Sequence, residues 1–480
     1  MAKKEKAKKI ETPDQLQKRK AKEAKELAKW EKEATKPKGN YYIAILFIIL
    51  GLVQCIDETT TNMNTQMQSE IAIGLFNDRL SLMTLASTLT LPIMVLSFFY
   101  KSMADKYGRK IFLFINTLGM GLSLFAIFLA GKIGNIPGIV IYLIAYGFIN
   151  FFISNDTQVL FLMESTDPEK RQTQFAIVKG IGMLSVILIP AMRAVFMGND
   201  VTRWNLVYIV PGLVAIAIGV IAILFMRESD VFLENRIAYL KMTDEERAAK
   251  AEADGRSEEE ASSQGGLGAA IKFAFSHRQI KWLFITTLLV AIGGFGVNYY
   301  EKIADVYYST TEVTSALMLY PVGCAIVTWI NGPIGDRLGR KKSALIMTVT
   351  CFVCFTAFFI GCTRGWNPYV IGLAVGLFAG SRWAITDVTN SVMLSESTPT
   401  NLRASMLSVG LILSVIAGML AMIIPTIGLL ITHDDYSVLG YICIFGSIPL
   451  LALACLSVAF KVGDTTGIDM TKVTGNEWEK

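Results

Sequence analysis

"GPIGDRLGRKK", residues 332–342, packs five charged side chains and three glycines into eleven positions between two long apolar runs. Nearly the same text, "KSMADKYGRK", stands at 101–110, again between apolar runs. Charges placed only to set topology would accept any Lys or Arg. An Asp followed three residues later by Gly, at Asp105/Gly108 and again at Asp336/Gly339, is a demand on geometry. Glycine adopts backbone angles closed to other residues, so Gly108 and Gly339 each permit a tight turn.

Working outward from these turns, the flanks are too greasy for a soluble protein. Hydrophobic residues make up 52% of the 480 and charged residues 18%, with a mean hydropathy of +0.46. About 20 apolar residues at 1.5 Å each cross a hydrocarbon core of about 30 Å. Inside it every backbone polar group must bond within its own segment, so such runs are helices. A membrane β-barrel would instead show short alternating segments. Twelve spans are predicted, near 41–62, 80–100, 111–130, 138–162, 174–197, 205–226, 280–300, 313–334, 343–362, 368–394, 404–431 and 437–460. The fold class expected is all-α and polytopic. Forty polar residues precede the first span and no small-residue cleavage site follows it, so it reads as a retained helix.

Positive charge orients the bundle. Loop 101–110 carries Lys101, Lys106, Arg109 and Lys110, and loop 336–342 carries Arg337, Arg340, Lys341 and Lys342. The alternate loops hold little beyond Arg79, Lys132, Arg203, Lys302 and Arg364. Both termini and the 227–279 segment are therefore expected in the cytoplasm, with the chain in the cell (inner) membrane. Residues 1–38 hold 14 Lys/Arg against 7 Asp/Glu, a local +7 that leaves the rest of the chain at −2. The stretch "KRKAKEAKELAKWEKEA" reads as a solvated helix near anionic headgroups, and nucleic acid is not an expected partner. Of the seven cysteines, Cys351 and Cys354 form a C-x-x-C inside a span with no second pair to complete a zinc site, so small apolar packing is expected there.

The turns also expose a repeat. Asp105 and Asp336 are 231 residues apart; "ESTDPEKR" (Glu164 to Arg171) and "ESTPTNLR" (Glu396 to Arg403) are offset by 232. Four charged landmarks recur at one spacing, in one order. The expected organisation is a basic segment 1–40, a six-helix bundle 41–226, a linker 227–279, a second bundle 280–461 and a tail 462–480. The linker carries the capping-box pattern Thr243-x-x-Glu246 and ends in "SSQGGLG", which reads as flexible.

A loop of the form G-x-x-x-D-[RK]-x-G-[RK]-[RK] between spans 2 and 3, echoed between 8 and 9, resembles the signature of the major facilitator superfamily. The second copy matches at Gly332, Asp336, Arg337, Gly339, Arg340 and Lys341. The first keeps Asp105, Lys106, Gly108, Arg109 and Lys110, with Lys101 where the family has glycine. The resemblance covers roughly 41–461. It implies two pseudo-symmetric six-helix bundles, a central cavity lined by spans 1, 4, 7 and 10, secondary transport by alternating access, and a monomer. It also implies a cytoplasmic gate, in which Asp105 and Asp336 sit at helix N-termini and Arg109, Arg337 and Arg340, with Arg171 and Arg403 nearby, pair with Glu164 and Glu396 across the bundle ends.

Ionisable groups at bilayer depth cost about 2.5–3.5 kcal/mol each on insertion scales, so they are functional suspects. Span 1 offers Gln54, Asp57, Glu58 and Asn62; span 4 Asn150, Asn155 and Asp156; span 5 Arg193; span 7 Asn298, Tyr299 and Tyr300; span 10 Arg382, Trp383, Asp387 and Asn390. Trp383 and Asp387 share a helix face. Asn155 aligns with Asp387 under the 232-residue offset. The plainer expectations are that Asp57 and Glu58 are wet in the outer half of span 1, that Glu301 and Lys302 lie past the membrane and are solvated, and that Lys179 snorkels.

With no G-x-x-x-x-G-K-[ST] for ATP, a gradient must drive transport. A buried carboxylate with a raised pKa can load a proton, with Asp156 and Asp387 the candidates. Arg382 and Arg193 suit an anionic or strongly polar group, and Trp383 an apolar or sugar-stacking wall. The favoured function is proton-coupled symport of a small polar solute, an organic acid or sugar. Drug/proton antiport is the alternative, although "KGIGMLSVILIPAMR" lacks G-P-x-x-G-G and "RESD" shares only Glu-Ser with P-E-S-P-R. A non-transporting receptor would need an output domain longer than 227–279 or the tail. His277 and His433, the only histidines, offer no buried enzyme site. No metal or cofactor is expected.

Overall fold

In the computed structural model, residues 13–37, 41–97, 100, 103–104, 107–155, 157–165, 171–247, 265–398, 403–468, 473 and 477 are described. The first half begins with α1 (Pro13–Ala34) outside the bundle, then α2 (Tyr42–Met63), α3 (Gln68–Phe76) and α4 (Leu80–Thr88), the last continuing through a 3₁₀ turn at Leu91–Leu96. α5 (Arg109–Ile133), α6 (Asn135–Ile153), α7 (Thr157–Ser165), α8 (Arg171–Ser185), α9 (Leu188–Met192) and α10 (Ile209–Phe225) complete it. Two helices, α11 (Asp230–Lys241) and α12 (Gly265–Ser276), lie in the linker. The second half holds α13 (Arg278–Gly293), α14 (Tyr300–Asp305), α15 (Thr310–Leu338), α16 (Arg340–Arg364), α17 (Pro368–Thr386), α18 (Arg403–Ile431) and α19 (Leu439–Phe460).

Among the described residues, ten helical stretches are long and apolar enough to cross a membrane, and an eleventh span is the pair Thr65–Phe76 and Leu80–Leu96, bent by 103°. The twelfth is interrupted: α13 stops at Gly293, a 3₁₀ turn spans Phe295–Asn298, and α14 resumes at Tyr300. The bundle is thus twelve spans in two six-helix halves, as the sequence predicts. Large apolar side chains remain exposed around it, Ile48, Leu129, Ile144, Leu224, Val353 and Phe445 among them. They form a surface matched to lipid and not to water.

Three local departures have physical causes. The segment after α2, expected as a loop, is helix α3, because Met67, Ile71, Ala72 and Leu75 pack into the core on one face. "GGLG" at 265–268, expected to be flexible, is the first turn of α12. The basic α1 is helical but docked and not simply solvated. Arg19 forks onto Asp244 at 3.0 and 2.9 Å, Arg236 pairs with Glu26 at 2.8 Å and Arg247 with Glu23 at 3.1 Å, while Trp30 packs edge-on against Phe232 at 5.2 Å. The Thr243/Glu246 capping box forms at 2.8 and 3.2 Å.

Each half packs its own helices, α5 against α6 and α10 in the first, α15 against α17 and α16 against α17 in the second. The halves meet where α8 runs along α15 and α4 along α18. The largest apolar core crosses this seam, joining Met63, Ile71, Tyr142 and Val186 to Phe295, Tyr320, Phe355 and Phe378.

Candidate functional site

The turn end of the bundle is built on two left-handed glycines. Gly108 has φ +105° and Gly339 φ +101°, and each opens a transmembrane helix, α5 and α16. Each turn is closed by an acid from the end of its half. Glu228 accepts the backbone N–H groups of Arg109 at 3.0 Å, Lys110 at 3.2 Å and Ser229 at 3.1 Å. Asp464 takes the equivalent place at α16, accepting from Lys341 at 3.4 Å, while the Thr466 hydroxyl accepts from Arg340 at 2.9 Å. A carboxylate here offsets the positive helix end. A methyl group on Gly108 would lie 2.5 Å from Glu228 Oε2, and one on Gly339 2.5 Å from Asp464 Oδ2, so both positions require glycine twice over. Burial pushes the Glu228 carboxyl above its ordinary range, against the pull of the three N–H donors. Asp464, more exposed, is held below its ordinary range: partial burial opposes this, but the Thr466 hydroxyl and the donated N–H groups prevail.

Among the described residues, Arg340 of the second signature copy pairs within its own half. Arg340 Nη1 contacts Asp336 at 2.7 Å and its Nε lies 3.6 Å from Glu396, all in the second half. The expected Arg340–Glu396 pair thus forms, within the second half, and the acids seen at the N-termini of α5 and α16 are Glu228 and Asp464. Arg337 is exposed, and a methyl group added at Gly332 would meet nothing within 4 Å. Asp105 lies outside the described residues, as do the side chains of Glu164, Arg171 and Arg403.

At mid-depth, polar side chains line the seam. Gln54 donates to Glu58 at 3.0 Å and accepts from Gln158 at 3.4 Å. Asp57 and Glu58, for which an exposed outer position was one expectation, are buried. Tyr320 of the second half donates to Asn62 of the first at 2.9 Å. Lys179, expected to snorkel, instead reaches across the seam to Asp387 at 2.7 Å, a carboxylate that is itself 46% exposed. Asn155 and Asp387, equivalent by the repeat, mark equivalent backbone breaks: α6 ends in a turn at residues 154–155, and α17 yields to a π-helical stretch at Asp387–Met393. Asn155 is buried and donates to its own helix at Phe151 O. Asp156 lies outside the described residues.

Trp383 shares the Asp387 face and packs against the core. Arg382, 100° around the helix from Trp383, turns into the second half, where it donates to the Ala291 carbonyl at 3.4 Å; among the described residues its buried Nε has no hydrogen-bond partner. Asn298 is half-buried, and Tyr299 is fixed by its hydroxyl on Met422 O at 3.0 Å.

The far end, opposite the glycine turns, is closed by contacts between halves. Arg193, expected to be available to substrate, is buried between two carboxylates, Glu70 at 2.5 Å and Glu301 at 3.7 Å. Glu301 and Lys302, expected to be solvated, are buried too: the break before α14 turns them inward toward Ser69 and Asp305. Ser81 donates to Asp434 from its N–H at 3.0 Å and its hydroxyl at 2.7 Å, Thr84 meets Thr426 at 2.7 Å, and Tyr436 bridges Leu80 N and the Asp78 carbonyl.

The Major Facilitator Superfamily profile matches residues 43–422. The chain belongs to the Major Facilitator Superfamily. Two curated superfamily relatives from Saccharomyces cerevisiae, hexose transporters HXT13 and HXT17, are each 27% identical over 128 residues, or 26% of this chain. That match spans only 22% of each relative's length. Among solved structures, the partially occluded inward-open form of the xylose transporter XylE from E. coli superimposes with a TM-score of 0.65 at 14% identity, over 90% of this chain and 100% of that one. The proton:xylose symporter XylE bound to 6-bromo-6-deoxy-D-glucose gives 0.63 at 14%, over 91% and 99%. At such identity the likeness establishes the fold.

This Major Facilitator chain is accordingly a multi-pass membrane protein. Depth in the sequence does not find all of its most informative polar groups. Glu228 and Asp464 follow spans 6 and 12 at a spacing of 236, close to the repeat interval, and that interval is the signal available. Glu70 lies in a segment that reads as loop, and nothing in its local sequence marks it.

Proposed function

We propose that this protein carries a small polar organic solute, sugar-like or an organic acid, across the cell membrane by alternating access, driven by protons. The observation that carries this reading is the polarity of the seam: Gln54, Glu58, Asn62 and Gln158 of the first half face Lys179–Asp387 and Tyr320 contacts to the second, at mid-depth, while the far end is zipped shut. Rows of polar groups at bilayer depth are costly and mark the path of a hydrophilic cargo. The sugar specificity of the transporters it resembles supports the cargo class. With the positive turns and both termini in the cytoplasm, the far end faces outside and the structure is the outside-closed form. Asp387 is the coupling carboxylate of this reading and Trp383 the apolar wall of the solute path.

The test is purified protein in liposomes with an imposed pH gradient and a panel of labelled sugars, organic acids and cationic drugs. Saturable accumulation of a sugar or organic acid, abolished when the gradient is collapsed, is the expected result. Accumulation indifferent to the gradient overturns proton coupling, and efflux restricted to cationic drugs overturns the cargo class.

A further inference from the structure

The far-end lock holds more negative charge than it can pair. Glu70 and Arg193 belong to the first half and Glu301 to the second; their side chains are 3%, 1% and 0% exposed. Arg193 grips Glu70 with both terminal nitrogens, at 2.5 and 3.1 Å, and also donates to the Gln66 carbonyl and lies 3.4 Å from the Thr314 hydroxyl. Glu301 is served less well. Its Oε2 accepts from Ser69 N at 3.1 Å and Ser69 Oγ at 3.0 Å, but its Oε1 has no hydrogen-bond partner and sits 3.7 Å from Arg193.

The neighbouring charges do not correct the imbalance. Lys302 is already shared between Asp305 at 3.4 Å and Asp78 at 3.5 Å, with its ammonium 4.2 Å over the Tyr436 ring. Asp305 Oδ2 lies 3.1 Å from Ser69 Oγ and competes with Glu301 for its single hydroxyl proton, and Tyr300 and Tyr208 nearby add no charge. Within the dry site two carboxylates thus share one guanidinium, and an uncompensated buried charge costs several kcal/mol. A proton is the smallest ion that cancels it.

We propose that Glu301 is a proton-binding site: it takes up one proton on Oε1 from the far-side solution as the halves close there, and returns it when they part. On opening, Glu70 and Arg193 stay together in the first half as a neutral pair. Glu301 leaves with the second half, becomes wet and ionises. Because closure binds one proton that the open form lacks, the closed-to-open ratio changes by up to tenfold per pH unit, with acid on the far side favouring closure. The inference rests on the reading that the halves separate at this end.

The experiment uses the full chain in lipid nanodiscs with nitroxide labels at Ile136→Cys and Tyr369→Cys, exposed far-end sites of opposite halves, after Cys55, Cys354 and Cys455 are changed to Ser. Pulsed spin-echo distances are recorded between pH 5 and pH 8. The wild type is expected to show a short distance whose population falls as pH rises. Glu301→Gln, which mimics the protonated side chain, and Glu70→Gln, which frees Arg193 to pair with Glu301 alone, are each expected to abolish the slope. Glu301→Asp is expected to keep it. A wild-type slope preserved in both Gln variants overturns the proton site while leaving far-end opening intact. A distance that never changes overturns both.

Discussion

Replacing Gly108 by Ala tests the turn that organises the first half. At φ +105° and ψ 143° an alanine occupies backbone space held almost solely by glycine, at about 1–3 kcal/mol. Its methyl would also sit 2.5 Å from Glu228 Oε2 and 3.0 Å from Trp30 Cη2, forcing the carboxylate off three backbone N–H groups. Losing charge-assisted bonds of this kind costs about 1.5–3 kcal/mol. Together the expected loss is about 3–5 kcal/mol. Gly365 is the matched control: its φ is +64° and nothing lies within 4 Å of a methyl there, so Gly365→Ala is expected to cost about 1–2 kcal/mol from backbone alone. Unfolding by SDS titration in mixed micelles, followed by tryptophan fluorescence, measures both, with Trp30 as a local reporter. Gly339→Ala should fall between them, because Asp464 is more exposed than Glu228 and its bonds are worth less in solvent. If Gly108→Ala costs no more than Gly365→Ala, the account of Glu228 as the closing acid fails.

Asp387→Asn should remove the ion pair with Lys179 across the seam and reduce proton-driven accumulation at least tenfold while gradient-independent exchange survives; unchanged coupling would return Asp387 to packing duty. Asp336→Ala removes a half-exposed partner of Arg340 and should change unfolding free energy by less than about 1 kcal/mol, yet shift inside-versus-outside accessibility of engineered cysteines; unaltered accessibility rules out the gate. Asp244, held below the ordinary carboxylate range by the Arg19 guanidinium, stabilises the docking of α1 at neutral pH. That contribution is complete above the ordinary Asp range and is lost as pH falls through the depressed value, so the protection of amides in residues 13–34, taken relative to intrinsic exchange at each pH, should fall in strong acid and should not change between pH 6 and pH 8.

Fold and repeat were legible because they rest on properties every residue of a span shares: apolar length, charge at the ends, glycine at a turn. The glycines at 108 and 339 could be read singly, since few geometries need Asp and Gly three apart. Partnership was less legible. Depth along a helix follows from counting, but azimuth in a broken helix does not: the interruption at Phe295–Asn298 turned Glu301 and Lys302 inward, and the π-helical stretch starting at Asp387 aimed that carboxylate at Lys179. Arg193 illustrates the same point, because a lone arginine near a span end looks available until the carboxylates that claim it, 123 and 108 residues away, are seen beside it.

The docking of α1 carries a consequence for anyone handling this molecule. Leu27 and Trp30 cover Phe232, Leu233, Ile237 and Leu240, and the same indole forms one wall of the pocket that holds Gly108. Trimming the chain ahead of Tyr41 would therefore bare a greasy strip to water and unseat the floor of the first turn at once. Such a shortened protein should clump in dilute detergent, with the turn at Gly108 stripped of the indole beside it.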